Sequence, residues 1–125
     1  MTSLTKKRFL VVDDEPAVRL LVFTILSEAG YTVDLAGNGS HALQMLNRRP
    51  YDLIISDVNM PEMDGIGFYR ALAEKLPEFK KRVLFMTGGL TNEALSFFQK
   101  HGCRYILKTF EETDLLEEIH DMLDK

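Results

Sequence analysis

The sequence predicts a doubly wound parallel α/β domain, and three observations carry that prediction. Short apolar, β-branched runs alternate five times with longer segments of helical periodicity. Glycine, proline and polar turn residues separate them. Several of the apolar runs end abruptly in a polar side chain, as strands do when their carboxyl ends face a ligand crevice.

Arg8 to Val12 is short, apolar and β-branched, and reads as the first strand. Asp13-Asp14-Glu15-Pro16 then breaks the run and starts a helix, since proline suits a first turn and acids complement the helix dipole. Val18, Leu21, Val22, Ile25, Leu26 and Ala29 recur at helical spacing, and Gly30 stops them. Tyr31 to Ala36 is a second strand. Gly37-Asn38-Gly39-Ser40 is a turn with Ser40 as the expected cap of a second helix carrying Ala42, Met45 and Leu46, which Pro50 ends.

The third strand, Asp52 to Ser56, delivers Asp57 at its tip, and Pro61 closes off further strand. Ile66, Tyr69, Leu72, Ala73 and Leu76 mark a third helix that stops near Pro77. Val83 to Met86 is the fourth strand, followed by Thr87-Gly88-Gly89. Thr91 or Asn92 caps a fourth helix, with Ala94, Leu95, Phe97 and Phe98, which Gly102 breaks. Phe97 and Phe98 are adjacent, so one is expected inside and the other near the surface. Arg104 to Leu107 is the fifth strand, ending in Lys108, and Leu115, Ile119, Met122 and Leu123 line the last helix. Five strand–helix units favour the flavodoxin-like order 2-1-3-4-5, one of two common doubly wound orders, although periodicity alone does not derive it.

Length and composition agree with one domain over residues 1–125. The hydrophobic fraction of 46% and charged fraction of 27% are those of an ordinary globular chain. A net charge of −4 argues against a broad nucleic-acid surface. The single cysteine, Cys103, excludes an internal disulfide, fits a reducing compartment, and reads as a small core residue. Lys6-Lys7-Arg8 precedes an apolar run too short for a signal peptide, and no stretch approaches a membrane span. A cytoplasmic protein without membrane insertion is the expectation. His41, His101 and His120 are scattered on helices and read as solvated.

The strand ends carry the chemistry. Strand one delivers Asp13 and Asp14, strand three Asp57, strand four Thr87 and strand five Lys108. If those strands are neighbours, the five side chains converge. At an effective dielectric of about 20, two like charges near 4 Å repel by about 4 kcal/mol, so three carboxylates together call for a cation. An all-oxygen set suits Mg2+. A hard metal, a hydroxyl and an ammonium together receive a phosphoryl group, with Asp57 the candidate nucleophile.

In these residues the chain resembles the receiver domains of two-component response regulators. The resemblance rests on Asp13-Asp14, on Ser56-Asp57-Val58-Asn59-Met60-Pro61, on Met63-Asp64-Gly65, on Thr87 and on Lys108, in order and at the family's spacing. It implies that Asp57 accepts a phosphoryl group from a phosphohistidine on a histidine kinase or histidine phosphotransfer protein. It implies that Asp14 binds Mg2+ directly, Asp13 mainly through water, and Asn59 through its backbone carbonyl. Thr87 then swings toward the phosphate, Lys108 pairs with it, and Tyr105 is the aromatic switch. The face of helix four, strand five and helix five changes partners, with a downstream protein, an attached kinase core or a phosphorylation-dependent homodimer as the expected readers and no direct nucleic-acid binding. Kinase docking is expected around Glu15, Val18 and Phe110.

Two departures stand out. Thr109 follows Lys108 where the family usually has proline with a cis bond, so the reach of Lys108 depends on an unusual loop; we expect the amine still to enter the site. Gly88 and Gly89 follow Thr87, which suggests an open site and a short-lived phosphoryl-aspartate. Phe85-Met86-Thr87-Gly88-Gly89-Leu90-Thr91 resembles receivers attached to the carboxyl ends of hybrid histidine kinases. Other readings are a degenerate receiver that takes no phosphate and a small aspartyl-phosphate hydrolase of the haloacid dehalogenase type. The latter needs a second acid two residues after its nucleophile, where this chain has Asn59. A flavin mononucleotide carrier is disfavoured because Asp13 and Asp14 would repel the phosphate.

Overall fold

The computed structural model describes residues 7–60 and 63–124. Its strands are β1 (Arg8–Val12), β2 (Thr32–Ala36), β3 (Leu53–Asp57), β4 (Val83–Thr87) and β5 (Arg104–Leu107). Its α-helices are α1 (Pro16–Glu28), α2 (Gly39–Arg48), α3 (Gly65–Lys75), α4 (Asn92–His101) and α5 (Glu112–Leu123), and a 3-10 helix covers Pro77–Arg82. The strands form one parallel sheet in the order β2-β1-β3-β4-β5. Pro61 and Lys6, both used above, lie outside the described residues.

The sheet is buried on both faces, which is why its central strands are nearly continuous apolar runs. β3 and β4 are buried at every residue, whereas the edge strands β2 and β5 are mostly half-buried. Side chains alternate across the sheet. Leu10, Val12, Ile54 and Phe85 face α2, α3 and α4, while Phe9, Val11, Ile55, Leu84 and Met86 face α1 and α5. Fully burying each such side chain contributes about 1.5–3 kcal/mol. No helix among the described residues is long and apolar enough to cross a membrane.

Caps fix the helix starts. Asn38, not Ser40, caps α2: its side chain accepts the His41 N–H at 2.8 Å, so Ser40 lies inside the helix. Asp64 accepts the Gly67 N–H at 2.7 Å at the start of α3, and Thr91 accepts that of Ala94 at 3.0 Å at the start of α4. Gly30 and Gly102 take φ of +98° and +65° at the ends of α1 and α4, a left-handed backbone that glycine adopts without a Cβ penalty. Pro77 ends α3 as expected but also opens the 3-10 turn, where its missing N–H has no cost.

Two packing expectations need correction. Leu21 shares the helical spacing of α1 yet is 53% exposed, because the face toward the sheet is made by Val18, Val22, Ile25 and Leu26. Phe97 and Phe98 are both buried. Phe98 stacks between Phe85 and Tyr105, while Phe97 turns toward α3 and meets Tyr69 edge-on at 5.4 Å. Two different neighbours, the sheet and α3, cover the two directions. His41, His101 and His120 are exposed as expected, and Cys103 is half-buried against the core.

Candidate phosphoryl-acceptor site

Parallel register brings the strand tips together. Val12 pairs with Ser56, Asp57 with Met86 and Thr87 with Leu107, so residues just past β1, β3, β4 and β5 share one edge. Asp13 and Thr87 are fully buried and Asp57 is 2% exposed, while Asp14 reaches solvent. Oxygens of Asp13, Asp14 and Asp57 all lie within 4.8 Å of one another.

Lys108 ties the acids together. Its Nζ lies 3.1 Å from Asp13 Oδ2, 3.2 Å from Asp57 Oδ2 and 3.1 Å from Glu15 Oε1. No peptide bond among the described residues is cis, so the bond to Thr109 is trans and the lysine still enters the site. Its anchor is backbone: the Lys108 N–H donates to the Thr87 carbonyl at 2.7 Å, which sets where the side chain begins.

Electrostatics follow from this geometry. Burial, then the charge of Asp13, pushes the Asp57 carboxyl above the usual carboxylate range, and Lys108 and the Asn59 N–H only partly oppose them. Burial pulls the Lys108 amine down, but the close contact with Asp13, the hydrogen bond to Glu15 and the charges of Asp13 and Asp57 outweigh it and hold the pKa above that of a free lysine. The ammonium therefore stays charged at neutral pH.

The acid pocket fits a hard divalent cation. Asp13 Oδ1 accepts the Glu15 N–H at 2.9 Å, but Asp13 Oδ2 is buried without a hydrogen bond of normal geometry, and its compensation from Lys108 is ionic. An oxygen so placed, beside two further carboxylates, is a ready ligand. Asn59 stands next to them and donates its N–H to Asp57 Oδ1 at 3.3 Å.

Thr87 shares the edge, but its hydroxyl is engaged locally: it donates to the Gly89 carbonyl at 2.7 Å and accepts the Gly89 N–H at 3.3 Å. Tyr105 lies on the same sheet face, paired in register with Phe85, with its ring stacked 4.9 Å from Phe98. Val18 and Phe110 are half-buried against the α1–α5 core, and Glu15 is exposed.

Two residues acquire site contacts that sequence reasoning did not assign. Glu15 is a counterion of Lys108. Gly65 packs directly on the end of β3: a Cβ there would lie 2.3 Å from the Asp57 carbonyl oxygen and 2.8 Å from Val58 Cα. Its N–H donates to the Val58 carbonyl at 2.8 Å. The Asp64-Gly65 pair was the available signal, with the cap visible in the aspartate and the close approach hidden in the glycine.

Known proteins resemble this chain in sequence and fold. A family model described as "Response regulator receiver domain" matches residues 9–120. The response regulator receiver protein CpdR of Brucella abortus is 34% identical over 119 residues, covering 94% of this chain and 97% of that protein. The sensor protein EvgS of Escherichia coli K12 is 46% identical over 70 residues, which are 56% of this chain and 6% of EvgS. Among solved structures, the chemotaxis protein CheY4 of Vibrio cholerae superposes with a TM-score of 0.87 at 31% identity, covering 95% of this chain and all of that one.

Proposed function

This chain belongs to the response regulator receiver domain family of two-component signalling, and from that premise we propose that residues 1–125 act as one phosphoacceptor domain with Asp57 as the acceptor. The observation that carries the proposal is Lys108, whose amine sits within 3.2 Å of both Asp13 and Asp57 carboxylates. It neutralises the pocket before transfer and is placed to neutralise a phosphoryl oxygen after it.

The donor is a phosphohistidine on a histidine kinase or histidine phosphotransfer protein. An Asp57 carboxylate oxygen attacks phosphorus, the phosphorus–oxygen bond forms as the phosphorus–nitrogen bond breaks, and the imidazole takes the leaving electron pair. Asp13, Asp14, Asp57 and the Asn59 carbonyl would hold Mg2+, whose chemistry is charge neutralisation at the transferring oxygens. Thr87 is positioned two strands from Asp13 to donate its hydroxyl to the phosphoryl group once it leaves Gly89. Tyr105 and the α4–β5–α5 face would then change partners, a phosphate-driven bias on a two-state surface. Glu15, Val18 and Phe110 frame the approach to Lys108 and would meet the donor.

The similarity to part of EvgS favours a receiver carried by a larger sensor protein, with an attached kinase core as reader. A stand-alone regulator in the manner of the short relatives is the other arrangement, and a phosphorylation-dependent homodimer belongs with it. Family membership over residues 9–120 argues against the hydrolase reading, and the reach of Lys108 supports phosphoacceptance over a degenerate receiver.

Incubation with acetyl phosphate and Mg2+, read by intact mass, tests the assignment. Addition of one phosphoryl group to the wild type and none to Asp57→Asn is the expected result. An unmodified wild type under conditions where Mg2+ binds would overturn it.

A further inference from the structure

We propose that a groove across the amino-terminal edge of β4 and β5, opposite the acceptor site, docks an acidic polypeptide segment of a partner protein. Two adjoining depressions of about 340 and 560 Å³ form it, and both are lined by Lys80, Lys81 and His101. Arg70 and Lys100 line the larger one, where Glu74 is the only acid among the described residues, and Arg104 lines the smaller.

The charge here is uncompensated. Lys7, Arg8, Arg104 and Lys108 each pair with a carboxylate, and Arg19 and Arg82 each donate to a backbone carbonyl. Among the described residues Arg48, Arg49, Arg70, Lys75, Lys80, Lys81 and Lys100 have neither an ion pair within 4 Å nor a backbone carbonyl to hold them, and four of these, Arg70, Lys80, Lys81 and Lys100, are exposed around this groove. Four free cations thus gather at one place on a chain whose net charge is −4. That concentration makes a local positive field that steers an oppositely charged surface.

The walls select the occupant. Tyr69, beside Cys103, and the exposed His101 ring, 4.4 Å from the Phe97 ring, give the groove an aromatic side. Val83 and Met122 add apolar surface. Alternating cations and apolar patches suit a segment that carries both carboxylates and an apolar side chain. Lys80, Lys81 and Lys100 carry their charge on long side chains out in water, and the groove's one unpaired guanidinium, that of Arg70, lies 5.5 Å over the Phe97 ring, so no pair of forks converges on a small phosphate. An extended nucleic acid would also meet the acidic face of α5, where Asp114, Glu117, Glu118 and Asp121 line the neighbouring depression.

The groove is remote from Asp57, so its use does not depend on the phosphoacceptor assignment.

Amide chemical-shift titration of the whole chain tests this, with a short peptide of glutamates around one leucine, oligo-uridine, and inorganic triphosphate as separate probes. The expected result is saturable shifts at Arg70, Lys80, Lys81 and Lys100 to Arg104 with the peptide. Affinity should fall by at least roughly tenfold in Lys80→Glu with Lys81→Glu and decline with added salt. The milder pair Lys80→Gln with Lys81→Gln should weaken binding in the same direction if the first variant folds poorly. Absence of groove shifts at millimolar peptide, unchanged affinity in the variants, or tighter binding of oligo-uridine or triphosphate at the same amides would each overturn the proposal.

Discussion

Lys108 reaches to 3.2 Å from Asp57 although the residue after it is Thr109 and the peptide bond between them is trans. The anchoring hydrogen bond from its own N–H to the Thr87 carbonyl, at 2.7 Å, lies upstream of that bond and is indifferent to it. The side chain is aimed by strand pairing, so a proline is not needed to bring the amine in.

That geometry makes Lys108→Met the most informative single change at the site. The Asp13–Asp57 repulsion loses its internal counterion and the incoming phosphoryl oxygen loses its ammonium. We expect the rate of phosphoryl acceptance to fall by about a hundredfold, comparable with removing one preorganised oxyanion donor. Time-resolved intact mass measures it. A rate within a factor of about two of wild type would show the amine to be incidental to transfer.

Magnesium should stabilise the folded chain. A ligand that binds only the native state at about 100 times its Kd adds about 2.7 kcal/mol. Circular-dichroism melting with and without Mg2+ should show a clear rise in Tm for the wild type. The rise should be lost in Asp13→Asn with Asp14→Asn, which removes two of the three clustered carboxylates.

Asp57→Asn should stabilise the metal-free protein at neutral pH. Burial and Asp13 raise the folded-state pKa above that of the unfolded chain. The folded state therefore holds this proton more tightly, and the group's stabilising contribution is complete only below about pH 4, the unfolded value. It is lost as pH rises through the folded value, leaving an ionised, crowded carboxylate. Urea midpoints of variant and wild type should differ most at neutral pH and converge toward pH 4; a variant less stable than wild type at pH 7 would contradict the sign.

Gly65→Ala should cost stability although it adds one methyl group. The new Cβ would meet the Asp57 carbonyl oxygen at 2.3 Å, a backbone atom with no rotamer to yield. Overpacking of this kind costs about 1–3 kcal/mol. Because the displaced backbone carries the acceptor, acetyl phosphate labelling should slow together with the drop in urea midpoint, whereas Gly88→Ala, with nothing within 4 Å, should change neither appreciably.

Tyr69 sets an alkaline limit. Burial, with Cys103 beside it, raises its hydroxyl from 10.0 to about 12. The folded state keeps the proton that the unfolded chain releases, so stability falls as pH rises from 10 toward 12. Urea midpoints over that range should decline less steeply in Tyr69→Phe, and identical slopes would remove Tyr69 from the account.

The strand tips were readable in the sequence because an abrupt polar residue after a buried run has little other explanation. Asp13, Asp57 and Lys108 meet as those runs suggested, and Thr87 shares their edge with its hydroxyl turned to Gly89. Strand order needed either resemblance or coordinates, since a parallel register leaves no trace in periodicity. The caps were half legible: Asn38 and Ser40 are both good cap residues, and only the backbone distinguishes them. Phe97 and Phe98 misled because adjacency on a helix excludes a shared direction, not a shared interior. Glu15 as a partner of Lys108 was hidden because the two lie at opposite ends of the sequence and meet only through β1 and β5.

The local bonds of Thr87 bear on how the domain rests. A turn of this hydroxyl toward Asp57 first gives up a donated and an accepted hydrogen bond with Gly89. At about 0.5–1.5 kcal/mol net for each, the inward rotamer starts roughly 1–3 kcal/mol uphill. It would then occupy between about 1% and 15% of unphosphorylated molecules. A reader of the inward form would meet a small standing background at rest, and Gly89, through its two backbone groups, would set the level of that background.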